Sequence, residues 1–164
     1  MTKKRRLIRR SSDNIQGVAS PLMNRLYSGR GISQASELEY DLAHLLPPNI
    51  HGLKDASALL GDAVVAAKQI LIVGDFDADG ATSSVLMVSA LRAMGCNTVD
   101  YLVPNRFDYG YGLTPEIVEV AREFNPALIV TVDNGISSIE GVARANSLGI
   151  GVLITDHHLP GNEM

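Results

Sequence analysis

The stretch Ile70-Leu71-Ile72-Val73-Gly74-Asp75-Phe76-Asp77-Ala78-Asp79-Gly80 sets four uninterrupted apolar residues directly before three aspartates. A short apolar run without alternation is the pattern of a strand covered on both faces, as in a parallel sheet between layers of helices. Further along the chain, Leu128-Ile129-Val130-Thr131-Val132 leads in the same way into Asp133-Asn134-Gly135, and Ile150-Gly151-Val152-Leu153-Ile154 into Thr155-Asp156-His157-His158. A fourth run, Val99-Asp100-Tyr101-Leu102-Val103, is less purely apolar. Residues 81–94, 114–124 and 136–148 have helical character, bounded by Gly95, by Thr114-Pro115 with Glu116, and by Gly149. The alternation predicts an α/β fold with a doubly wound, mainly parallel sheet. Crossovers in such sheets are right-handed, and ligands bind outside the carboxyl ends of the strands. Five aspartates and two histidines are therefore expected to meet at one edge.

The whole chain has 164 residues, enough for one domain core and an appendage. With 14 basic and 18 acidic residues its formal charge is −4, so no general basic surface advertises nucleic acid. Six of the 14 basic residues are nevertheless Lys3, Lys4, Arg5, Arg6, Arg9 and Arg10. Composition favours a solvated terminus there over a phosphate-seeking arm. No apolar segment follows these charges as in a secretory signal, and no later run is long enough to span a membrane. A single cysteine, Cys96, excludes an internal disulfide and suits a reducing compartment, with cytoplasm as the expected location. Residues 1–34 read as a basic and polar lead-in, and 35–69 as N-terminal helices. Within the latter, 36–46 carries Leu38, Leu42, Leu45 and Leu46 on one helical face before Pro47-Pro48, and 55–68 is a second amphipathic segment.

Asp75, Asp77 and Asp79 stand two apart, so in an extended segment their carboxylates point the same way. Three carboxylates held together repel unless a cation or protons neutralise them, which favours a metal. An EF-hand loop would need a glutamate at its twelfth position, where the chain has Leu86. An aspartyl-nucleophile phosphatase remains open for Asp77-Ala78-Asp79-Gly80-Ala81-Thr82, but it leaves Asp156-His157-His158 at an equivalent strand end unexplained. His157 and His158 suit a neutral imidazole ligand with its neighbour free to meet a phosphate, whereas His44 and His51 read as ordinary residues. Carboxylates mixed with imidazole favour Mn²⁺ or Mg²⁺ over structural zinc.

Asn134-Gly135 is a tight-turn pair that either aims Asp133 or merely joins strand to helix. Gly80-Ala81-Thr82-Ser83-Ser84 opens a helix whose free N–H groups and hydroxyls either hold an anion or only cap the helix. In the loop 104–112, Arg106 is placed to clamp a phosphate, and Tyr109 or Tyr111 to stack on a base or simply to build the loop.

Four ordered motifs, Gly-Asp-Phe-Asp-Ala-Asp-Gly from Gly74, Pro-Asn-Arg-Phe from Pro104 with Gly110-Tyr111-Gly112, Val132-Asp133-Asn134-Gly135 and Asp156-His157-His158, resemble the DHH phosphoesterase superfamily over about residues 70–161. The triple-aspartate first motif is most similar to the RecJ-type branch, exonucleases specific for single-stranded DNA. This resemblance implies two Mn²⁺ or Mg²⁺ ions held by Asp75, Asp77, Asp79, Asp133 and His157, with Asp133 bridging. It implies a substrate phosphate met by Arg106, His158, Thr82 and Ser83, while Asp156 and Asn134 hold the ligands in place. It also implies catalysis by Asp77, Asp79, Asp133, His157 and His158, 5′ to 3′ release of mononucleotides in DNA repair and recombination, and single-stranded-DNA-binding protein as a partner.

Family members carry a further metal-binding aspartate, a long helix and a DHHA1 domain downstream. Residues 70–164 are thus expected to be a truncated DHH domain that holds metal weakly and has little nuclease activity alone. A phosphodiesterase of short or cyclic nucleotides, and a non-catalytic DNA- or partner-binding module, are the alternatives.

Overall fold

The structure, a computed structural model, describes residues 8, 13–18, 20–45 and 47–161, which leaves the six basic residues of the N-terminus and Leu46 outside the described residues. The chain divides into two compact units, Met1–Ile50 and His51–Met164.

In the first unit, helix α1 (Pro21–Ser28) starts at an N-cap serine, Ser20, whose hydroxyl accepts from Met23 N–H. Asn24 is buried and accepts from Ile15 N–H at 3.1 Å, tying the preceding segment to the helix. The helix expected over 36–46 does not form. Two 3₁₀ turns, Ala35–Leu38 and Leu42–His44, replace it, with Glu39 extended between them. Local polar bonds compete with the helix here: Glu37 accepts from the N–H groups of Ser33 and Gln34, and Asp41 accepts from Ala43 N–H. Leu42 and Leu45 are exposed, so these two positions of the apolar stripe have no burial to offset that competition. His44 lies between Glu39 and Asp41, Nε2 3.2 Å from one and Nδ1 2.7 Å from the other, all three exposed.

The second unit holds a four-stranded parallel sheet in the order β2-β1-β3-β4, from β1 (Ile70–Gly74), β2 (Val99–Leu102), β3 (Leu128–Val132) and β4 (Gly151–Thr155). The apolar runs are explained by two cores. Ile70, Ile72, Leu128, Val130 and Val132 face one layer with Ala63 of α2 (Leu53–Val65) and Val88 and Leu91 of α3 (Ala78–Ala93). Leu71, Val73 and Ile129 face the other with Ile117 and Val118 of α5 (Pro115–Ala121) and Ala145 of α6 (Ile139–Ser147). The fold is therefore the doubly wound α/β expected. A short helix α4 (Arg106–Tyr109) interrupts the loop after β2. Because β2 lies to one side of β1 and β3 to the other, the strand order reverses between β1 and β3, where such sheets open a crevice. Among the described residues no helix is long and apolar enough to cross a membrane.

Helix α2 begins at Leu53, two residues before the expected segment 55–68, and two helix starts beside the strand ends differ from expectation by three residues. Helix α3 begins at Ala78 rather than residue 81, because the Asp77 carboxylate caps it by accepting from Gly80 N–H at 3.1 Å. The three aspartates are thus not on one extended segment: Asp75 follows the strand, Asp77 is the cap and Asp79 lies in the first turn. Helix α6 begins at Ile139 rather than 136, since residues 135–138 turn to hydrogen-bond elsewhere. Ile136 N–H goes to Asp156, and Ser138 Oγ accepts from Leu113 N–H.

Candidate metal centre

All four strand ends contribute to one site. Asp75, Asp77 and Asp79 come from the end of β1, Arg106 from the end of β2, Asp133 and Asn134 from the end of β3, and Asp156, His157 and His158 from the end of β4. Asn134, buried, spans the reversal point: its side-chain amide donates to Val73 O at 3.1 Å and to Val132 O at 2.9 Å. That latch fixes the spacing of the two strand ends from which the acidic groups emerge. Glycine supports the arrangement at two positions. A Cβ on Gly80 would run into the Asp75 backbone, so the first turn of α3 approaches β1 only with glycine there. Gly135 has φ +112°, and a Cβ on it would crowd Thr131 Oγ1.

Asp133 is the centre of the site. Its backbone is left-handed (φ 63°), its side chain is 4% exposed, and neither carboxylate oxygen has a hydrogen-bond partner among the described residues. His157 Nε2 is 2.8 Å from Oδ1, at contact distance but without hydrogen-bond alignment, and is 3.8 Å from Asp79. Burial, reinforced by the nearby Asp79 carboxylate, pushes the Asp133 carboxyl above its ordinary pKa despite the imidazole beside it. Two sets of ligand atoms converge within 4.8 Å, Asp77, Asp79 and Asp133 in one and Asp133, His157 and His158 in the other, with Asp133 common to both. A buried carboxylate with no donor is a destabilising feature that a cation would relieve. Asp77 keeps one oxygen available, the other accepting the Gly80 N–H that holds its pKa below the usual value.

His158 is oriented rather than free. Its Nδ1 is 2.7 Å from Asp156 Oδ1, its N–H donates to the same oxygen at 3.0 Å, and the Asp156 contact raises its pKa. Burial pushes Asp156 up, but hydrogen bonds from Ile136 N–H, His158 N–H and the ring outweigh it and leave the carboxyl below its ordinary pKa. Tyr111 takes a place that its sequence context does not announce. Its hydroxyl donates toward Asp133 O at 3.4 Å and is 3.2 Å from His158 Nδ1, with the two rings edge-on at 5.8 Å. The available signal is Gly110-Tyr111-Gly112, whose two glycines both have positive φ and fix the tyrosine between them.

Asp75 and Arg106 pair with each other, Nη2 lying 3.0 and 3.2 Å from the two oxygens. Asp75 belongs to neither set of converging ligand atoms. Thr82 and Ser83 follow on α3. The Thr82 hydroxyl donates back to Ala78 O, and Gly80 and Ala81 N–H are taken by Asp77, so these N–H groups are not free for an anion as expected. Ser83 lines a cleft of about 520 Å³ with Asp79, Leu86, Met87, Asp133 and His157. Tyr109 lies at the end of α4.

Residues 69–164 match the family described as the DHH family, N-terminal domain. The chain is 49% identical over 168 residues to the single-stranded-DNA-specific exonuclease RecJ of Salmonella typhimurium, covering 100% of this chain and 29% of that protein. It is 53% identical over 145 residues to the Escherichia coli protein of the same description, covering 88% of this chain and 25% of that one. The chain thus spans little more than a quarter of the length of these relatives. A crystal structure of exonuclease RecJ bound to manganese superposes with a TM-score of 0.66 at 37% identity, over 72% of this chain and 30% of that chain. A crystal structure of RecJ from Thermus thermophilus in complex with Mn²⁺ gives 0.63 at 34% identity, over 83% and 19%.

Proposed function

This chain belongs to the DHH family, and from that premise we propose that its strand-end site is the metal-binding part of an exonuclease that hydrolyses single-stranded DNA. The observation that carries the proposal is the buried Asp133 carboxylate, without a donor and shared by two sets of converging ligand atoms. Asp77, Asp79, Asp133 and His157 would hold divalent cations, Mn²⁺ or Mg²⁺, with Asp133 offering ligand atoms to both converging sets. Bound there, the ions supply Lewis acidity toward the phosphodiester and lower the pKa of water beside it.

The chain's own residues do the rest. Asp133 presents its carboxylate from a left-handed backbone at the end of β3, beside the Asn134 latch that ties that strand end to β1. His158, oriented by Asp156 and Tyr111, meets the substrate phosphate from one side, and Arg106 from the other. No protein nucleophile is needed in this reading: the cap takes one Asp77 oxygen and leaves the other for a cation. Ser83, in the cleft wall, contacts the strand.

The relatives described as single-stranded-DNA-specific support the substrate class. Digestion from the 5′ end to mononucleotides, a role in DNA repair and recombination, cooperation with single-stranded-DNA-binding protein and a cytoplasmic location are part of the same proposal. The test is an assay of the full-length protein on 5′-labelled single-stranded DNA and on dinucleotides, with Mn²⁺ or with EDTA. Mononucleotide release from the long strand in Mn²⁺ alone is the expected result. Preference for dinucleotides would replace the exonuclease by a short-substrate phosphodiesterase, and hydrolysis undiminished by EDTA would remove the metal site.

A further inference from the structure

We propose that Asp75, although it sits in the acidic motif, is the positioning residue for Arg106 rather than a metal ligand. This rests on the phosphate-binding role given to Arg106 in the proposed function. Asp75 leaves β1 and Arg106 opens α4 after β2, the neighbouring strand, so the two meet across one strand spacing. A single nitrogen, Nη2, serves both Asp75 oxygens, at 3.0 and 3.2 Å, and Oδ1 also accepts Phe76 N–H at 2.8 Å. Both oxygens are therefore engaged, unlike those of Asp133, and the side chain is only 10% exposed.

The guanidinium is also fixed on its faces. Its Cζ lies 4.0 Å from the Phe76 ring centroid and 5.2 Å from that of Tyr111. Nε and Nη1 make no hydrogen bond to any described residue, which leaves three N–H donors of a planar fork for an anion. An arginine held at one corner and stacked on two rings loses little freedom when it binds a phosphate. Phe76, the third residue of Gly-Asp-Phe-Asp-Ala-Asp-Gly, then has a purpose, as the floor on which the guanidinium rests.

The experiment compares Asp75→Asn, Arg106→Gln and the double variant in the full-length protein, with Mn²⁺ binding followed by electron paramagnetic resonance and turnover measured on 5′-phosphorylated single-stranded DNA. Asp75→Asn is expected to keep Mn²⁺ affinity within about twofold of the parent while raising KM about tenfold with a smaller change in kcat, as for loss of one charge-assisted contact. The double variant is expected to be no worse than Arg106→Gln, because both changes remove one device. A tenfold loss of Mn²⁺ affinity in Asp75→Asn, or additive effects in the double variant, would overturn the proposal. Inorganic phosphate titrated against the Arg106 Nε–H signal by NMR provides a readout that needs no turnover. If the parent protein cleaves no DNA, the exonuclease reading fails, yet phosphate binding that weakens in Asp75→Asn still upholds the positioning role and unchanged phosphate binding ends it.

Discussion

Asp133 Oδ1 and His157 Nε2 lie 2.8 Å apart at the ends of adjacent strands β3 and β4, one side chain 4% exposed and the other 70%. The contact joins a carboxylate that burial has made uncomfortable to an imidazole that stands largely in solvent.

The first prediction concerns the cost of that carboxylate. Its folded pKa is raised, so its burden is absent below the ordinary aspartate value of about 3.9 and appears as pH rises through the raised value. Asp133→Asn should therefore stabilise the metal-free protein at neutral pH, by about 1 kcal/mol or about 4 °C in Tm, with the difference closing toward acid pH. Excess Mn²⁺ should reverse the order, stabilising only the parent. Calorimetry across pH, with and without Mn²⁺, checks both signs; a destabilised metal-free variant at neutral pH would show that Asp133 is satisfied without a cation.

The second concerns Gly80. A Cβ there meets the Asp75 backbone, which is not the end of a flexible side chain and does not give way cheaply. Gly80→Ala should push the first turn of α3 away from β1, taking the Asp77 cap and Asp79 with it. Despite the better helix propensity of alanine, the variant should lose about 1–3 kcal/mol of stability and most of its Mn²⁺ affinity. Retained affinity in isothermal titration would mean that the turn relaxes without moving the ligands.

Much of this arrangement is legible in the residues, for physical reasons that also mark where legibility stops. The runs from Ile70 and Leu128 announce doubly covered strands because both faces of a parallel sheet are buried there, the run from Ile150 forms the half-buried edge strand β4, and the order of motifs sends Asp77, Asp133 and His157 to one edge. The start of α3 is hidden because Asp77 serves two purposes at once: a residue suited to be a metal ligand is also a good N-cap. The segment 36–46 carries a helical stripe, but Glu37 and Asp41 spend their carboxylates on nearby N–H groups and its described leucines at 42 and 45 find no burial. The pairing of Asp75 with Arg106 depends on β2 lying beside β1, a fact of strand order that no local pattern contains.

The third prediction uses the Asp156–His158 pair in metal-free protein. Asp156 has a lowered pKa, so its contribution is present above about 3.9 and is lost as pH falls through the lowered value. His158 has a raised pKa, so its contribution is present below about 6.5 and is lost as pH rises through the raised value. The Ile136 and His158 amide signals, both bonded to Asp156, should accordingly hold steady between those limits and move beyond either. In Asp156→Asn the alkaline step should shift toward the ordinary histidine range. An alkaline step left in place by that substitution would show that some other group raises His158.

The last prediction tests whether the site depends on the Asn134 latch more than on any ligand for its shape. Its amide is the donor for both Val73 O and Val132 O, at the point where the strand order reverses, and it is buried there at 2% exposure. Asn134→Ala leaves two carbonyls without that donor and should cost about 1–3 kcal/mol. Asn134→Asp should cost more, since it sets a charge against the same carbonyls and beside Asp133. Hydrogen exchange should then show faster opening of the ends of β1 and β3, near Val73 and Val132, than of β4. Protection that falls evenly over all four strands would mean that the latch supports global stability only, and that the spacing of the metal ligands is set by the two cores instead.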